Sequence, residues 1–179
     1  MLNVRHLLPS VVAAAAMTCV AAAHASWVGL SVSGTMVPST SVTIQTPFVS
    51  PAVVGAGVEF TGTMIDVFDQ FWTVSADIGE SSITVTIDSD NPNSNILRFV
   101  PPSLLALDFG GLTDAADLVL SNYTCTGSAF ACSTFGGGPS ILEFSASAGG
   151  MFVGFEAFRA GETYVFARRG TPVPEPLSL

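Results

Sequence analysis

Two glutamates, Glu143 and Glu156, flank a Gly149-Gly150 pair inside a run that alternates apolar and polar residues. If Gly149-Gly150 is a two-residue hairpin turn, Leu142, Phe144, Ala146 and Ala148 face Ala157, Phe155, Val153 and Met151. On the other face Glu143 falls opposite Glu156, and Ser147 opposite Phe152. Directly opposed residues have Cβ atoms about 4.5–5.5 Å apart. Paired carboxylates near that separation are what a retaining glycosidase uses, one as acid and one as nucleophile. The same oxygens could hold a divalent cation. The competing reading, which we prefer, is a solvated pair that splays apart, with Arg159 or Arg98 nearby.

The segment Asp88-Ser-Asp90-Asn91-Pro92-Asn93-Ser94-Asn95 has the composition of a calcium loop. Its spacing fails, because Pro92 occupies the third ligand position and no glutamate closes the loop. Asp, Asn and Pro are also the ordinary residues of a strand connection, and that is the reading adopted.

What other chemistry is open depends on where the mature chain begins. Arg5 and His6 form a short positive region, and Leu7 to Ala22 is apolar and rich in alanine. Ala23-His24-Ala25 then supplies a small-x-small cleavage site, so residues 1–25 read as a secretory signal peptide with cleavage between Ala25 and Ser26; a transmembrane anchor is the alternative, disfavoured by Pro9, Ser10 and the many alanines. Its loss removes both histidines, and the chain has no lysine. Without His or Lys, neither a Ser-His-Asp nor a Ser-Lys nucleophile can be assembled. Phe135-Gly-Gly-Gly-Pro139 lacks the lysine of a phosphate-binding loop. No catalytic residue, metal or other cofactor is expected. Four arginines remain against fourteen carboxylates, a net charge of −10 that repels nucleic acid.

Cys125 and Cys132 survive cleavage. An even count at short spacing in an oxidising compartment predicts one disulfide closing Cys-Thr-Gly-Ser-Ala-Phe-Ala-Cys; free buried thiols are the alternative. A zinc site would need two more soft ligands, which the mature chain lacks.

These residues must be positioned by strands. Period-two alternation, broken by Gly, Pro, Asn and Ser clusters, predicts strands over 27–33, 42–46, 53–63, 71–78, 82–88, 96–100, 105–109, 118–126, 141–148, 151–158 and 163–168. Residues 114–120 could carry one short helical turn. In 72–87 a Gly79-Glu80 turn sets Trp72 opposite Ile87, Val74 opposite Val85 and Ala76 opposite Ile83, giving one apolar and one polar face. Residues 26–170 are therefore expected to form an all-β domain, an antiparallel two-sheet β-sandwich with a jelly-roll-like path; a closed barrel is the alternative.

Residues 171–179 form a separate tail. Val173-Pro174-Glu175-Pro176 is rigid and extended, because each proline fixes its own φ and restricts its predecessor. Here the chain resembles the PEP-CTERM family, exported bacterial proteins whose C-terminus carries Pro-Glu-Pro, a transmembrane helix and an arginine cluster. The resemblance implies a sorting tail read by a membrane enzyme of the exosortase type. Beyond the tetrad only the first apolar residues, Leu177 and Leu179, are present; the helix and basic end are missing. Either the chain is truncated or the anchor has been lost, and the helix-like opening Leu177-Ser178-Leu179 favours truncation.

Three functional classes follow. The first is an exported, non-catalytic surface or extracellular-matrix protein. The second is a carbohydrate-binding module that meets extracellular polysaccharide through exposed Trp27, Trp72, Tyr123 or Tyr164. The third is a glycoside hydrolase built on Glu143 and Glu156. Buried aromatics favour the first; an exposed coplanar row favours the second.

Overall fold

The computed structural model describes residues 25–37, 39–90, 96–98, 105–133 and 137–170. Among the described residues thirteen strands follow in order: β1 (Ser31–Val37), β2 (Val42–Thr46), β3 (Ala52–Val53), β4 (Val58–Asp66), β5 (Phe71–Ile78), β6 (Ser82–Ser89), β7 (Ile96–Arg98), β8 (Leu105–Gly110), β9 (Leu118–Cys125), β10 (Ile141–Ser147), β11 (Gly150–Phe155), β12 (Ala157–Arg159) and β13 (Glu162–Arg168). A 3-10 turn, Ala115–Asp117, precedes β9, and a five-residue helix, α1 (Ala129–Ser133), follows it. One sheet has the order β10-β11-β8-β1-β3 and the other β2-β4-β5-β6-β13-β9, while β12 pairs with β7. Neighbouring strands are antiparallel, and the sheets pack face to face as a sandwich. Apart from the β4–β6 meander and the β10–β11 hairpin, the chain repeatedly changes sheet. Among the described residues no helix is long and apolar enough to cross a membrane.

The alternating residues do divide between core and surface. Val32 and Met36 of β1, Trp72, Val74, Ala76 and Ile78 of β5, and Ile83, Val85 and Ile87 of β6 all point inward. Burying a large apolar side chain contributes about 1.5–3 kcal/mol, so this pattern is what drives the two sheets together. Aromatic rings bridge the layers: Phe109 of β8 lies 5.9 Å from Phe60 of β4, and Phe155 of β11 meets Tyr164 of β13 edge-on at 5.2 Å. Gly62 of β4 leaves room for Met36 of the facing sheet, since a Cβ there would overlap Met36 Sδ.

Several expected elements are corrected. The strand expected from Trp27 begins at Ser31, because Leu30 N donates to Trp27 O (2.9 Å) and closes a turn that sinks the indole into the core. The run 53–63 is two strands in different sheets, parted at Gly55-Ala56-Gly57, where Gly57 takes a φ of +99°. The run 151–158 divides at Glu156, whose N–H leaves the sheet to donate to Ser140 O (3.0 Å). The β5–β6 hairpin turns at Glu80-Ser81, closed by Gly79 N donating to Ser82 O (2.8 Å). Val74 therefore faces Ile87, and Ala76 faces Val85: the register differs by two from the one predicted, with the same faces buried. The strand expected over 82–88 is present and extends one residue further, to Ser89.

Candidate functional site

Glu143 and Glu156 are not brought together. Glu143 lies opposite Gly154, with a bulge just before it, and Glu156 stands in the bend after β11; both are exposed. The expected opposition fails because the turn is Ala148-Gly149, with Ser147 facing Gly150. Gly150 has a different duty. A Cβ at that position would overlap Phe109 O of the neighbouring β8, so this glycine belongs inside the strand, where two backbones meet closely. The hairpin thereby shifts by two residues and leaves Glu156 beyond its end.

That shift builds something the alternation did not predict. Ser145, Phe152, Asp108 and Thr35 form one cross-strand row on the outer face of the first sheet, and Ser147, Gly150, Gly110 and Ser33 the next. The side chains of Phe152 and Asp108 stand beside the glycine row and enclose an open depression of about 270 Å³. It offers one half-buried ring, one exposed carboxylate and serine hydroxyls, with no nucleophile-and-base pair. Its sequence signal was the phenylalanine on the otherwise polar face of the 141–158 hairpin.

The four aromatics that could have met a ligand are used inside. Trp27, Trp72 and Tyr164 have no solvent exposure, and Tyr123 is half-buried. Trp27 Nε1 donates to Thr113 O (2.6 Å), and its ring lies under the Arg168 guanidinium, 4.3 Å away. Arg168 also donates to Thr113 O (2.7 Å) and to Ala25 O (2.6 Å), and burial lowers its pKa. Trp72 Nε1 donates to Asp66 Oδ2 (3.2 Å).

The densest polar cluster was not legible as such. Arg159 and Glu162 are both fully buried, with Arg159 Nε donating to Glu162 Oε1 at 2.7 Å. Glu162 Oε1 also accepts from Tyr123 OH (2.8 Å), and Oε2 from Arg159 N (2.9 Å). Arg159 Nη2 donates to Ser140 Oγ (3.0 Å) and to Gly138 O. Burial, reinforced by the Glu162 carboxylate, raises the pKa of both Tyr123 and Tyr164 far above the usual phenol value. The carboxylate is closed to solvent and fully engaged, so it fixes the β12–β13 turn rather than presenting an acid to a substrate.

Cys125 and Cys132 form the predicted disulfide, which ties the end of β9 to α1. Glu162 pairs with Cys125 across β13 and β9, so bond and ion pair brace one corner. Among the described residues no group of three His, Cys, Asp or Glu is placed to hold a metal ion. Asp88 accepts from Ser89 N (2.8 Å), and Asp90 accepts from Phe71 N (3.2 Å); both serve backbone, and residues 91–95 lie outside the described residues. Ala25 and Ser26 are exposed at the start of the described body. Residues 1–24 of the expected leader and the motif Val173-Pro174-Glu175-Pro176 lie outside the described residues. The chain matches no protein-family model, no curated protein and no solved structure.

Proposed function

We propose that this is an exported, non-catalytic surface or extracellular-matrix protein, a β-sandwich delivered by a cleaved leader and carrying a Pro-Glu-Pro sorting motif. One observation carries the reading for the body: Trp27, Trp72 and Tyr164, the flat rings a sugar-binding face would display, lie wholly in the core. The separation of Glu143 from Glu156 further supports it, because the acid–nucleophile geometry of a retaining glycosidase is absent from that hairpin. An exosortase-type enzyme is the partner of the tail, and extracellular polysaccharide the medium in which the protein works.

The test is incubation of the purified protein with a panel of bacterial polysaccharides, scored for new reducing ends and for binding on a glycan array. No cleavage and no selective glycan capture are expected. Cleavage that Glu143→Gln abolished while the fold stayed intact would overturn the reading in favour of a hydrolase. Selective capture lost in Phe152→Ala would overturn it in favour of a carbohydrate-binding module.

A further inference from the structure

The turn between β4 and β5 places its largest apolar side chains in water. Val67 is 70% exposed, Phe68 76% and Phe71, the first residue of β5, 45%. Isolated surface apolar residues are ordinary; three at one hairpin end are not, since turns usually draw on Gly, Asn, Asp and Ser. Nor is the turn loosely held. Asp66, buried at its base, accepts from Phe68 N (2.8 Å) and Gln70 N (3.1 Å) through Oδ1 and from the buried Trp72 indole through Oδ2. Asp66 N donates to Gln70 O (3.1 Å), Asp69 N donates to Asp66 O (3.2 Å), and Asp69 takes a φ of +60°. Asp90 pairs with Phe71 through Asp90 N donating to Phe71 O (3.2 Å) as well as through its side chain. A core-anchored carboxylate thus fixes the backbone that holds Val67 and Phe68 outward, and their ordering is met before any partner arrives.

The charge around the tip selects the partner. Asp69, Asp88 and Asp90 are exposed at this end of the sheet, and no cation occurs in 65–71 or 88–90. An anionic membrane surface would be repelled, and so would a second copy bringing the same acidic rim. We propose that the β4–β5 turn is a docking finger for a partner protein whose surface offers an apolar socket rimmed by lysine or arginine. Phe68 is the anchor, and Asp69, Asp88 and Asp90 set the approach and register. This does not rest on the export reading, since it follows from the turn alone.

The test titrates the isotope-labelled protein, followed by amide shifts, with an amphipathic Leu/Lys peptide and with a Ser/Lys peptide of equal charge. Parallel titrations use zwitterionic and anionic phospholipid vesicles, and sedimentation gives the oligomeric state. We expect shifts confined to 65–71 and 88–90, and the Leu/Lys peptide to bind about tenfold tighter or more than the Ser/Lys peptide. Phe68→Ser should remove that advantage, and Asp69→Asn should weaken the salt dependence. Because Phe68 is exposed, the serine variant should keep the parent spectrum elsewhere, which the same data report. Equal affinity for the two peptides, shifts scattered over the surface, or an unaltered Phe68→Ser variant would overturn the proposal. Tighter binding to zwitterionic vesicles would assign the tip to a membrane instead, and a dimer dissolved by Phe68→Ser would assign it to self-association.

Discussion

Arg159 Nε lies 2.7 Å from Glu162 Oε1 across the Ala160-Gly161 turn, and neither side chain reaches solvent. Removing one partner strands the other charge in the core. Arg159→Met or Glu162→Gln should therefore each destabilise the protein by about 3–5 kcal/mol, whereas replacing both with apolar residues of similar volume should cost far less. Chemical denaturation of the two single variants and the double variant checks this, and equal losses that simply add would contradict it.

The phenols beside that carboxylate make stability fall in alkali. In the unfolded chain Tyr123 and Tyr164 ionise near their ordinary value of 10.0, while in the fold both stay protonated to higher pH. Above about pH 10 the unfolded state binds fewer protons than the native state, so unfolding becomes easier as pH rises. Denaturation midpoints should hold below that point and decline above it, with a shallower decline in Tyr164→Phe. An unchanged slope in that variant would remove Tyr164 from the account.

Asp77 works in the acid range with the same sign. Burial, then the nearby Glu59 carboxylate, raises its pKa above 3.8, so the native state holds its proton longer than the unfolded state does. Stability from this residue is present below the unfolded pKa and lost as pH rises through the folded one. Asp77→Asn should therefore gain stability relative to the parent near neutral pH and lose that advantage in acid. The difference in denaturation midpoint at the two pH values measures it.

How much of this was legible in the sequence depended on what alternation can encode. The period-two pattern of 71–78 and 82–88 identified the buried face, and the structure buries that face. Alternation is blind to a shift of two residues, which exchanges partners without exchanging faces. Hence Val74 could be assigned to the core and still be paired with the wrong residue, and for the same reason Glu143 and Glu156 looked opposed. Choosing between Gly149-Gly150 and Ala148-Gly149 needed the contact of Gly150 with Phe109 O, a neighbour far back along the chain that pattern cannot see. Cys125 and Cys132 were readable because their chemistry leaves few alternatives. Arg159 and Glu162 were not, since a charged pair across a glycine turn looks like a solvated loop until the surrounding strands bury it.

Two corners of the fold give further tests. Reduction of Cys125–Cys132 should cost about 2–3 kcal/mol, the chain-entropy value for a loop this short. Alkylation of the unreduced protein should leave both thiols unlabelled; ready labelling would rule the bond out. Gly62→Ala should cost about 1–3 kcal/mol, because its Cβ would overlap Met36 Sδ and lie 3.0 Å from Thr46 O. Added Met36→Ala should relieve part of that loss if crowding is its cause.

Export is the claim on which the functional account turns, and the mass of the protein recovered outside the cell tests it most directly. The account predicts an N-terminus at Ser26, which is exposed where the described body begins. Recovery of a chain still starting at Met1, inside the cell or in its membrane fraction and absent from the medium and cell surface, would contradict it.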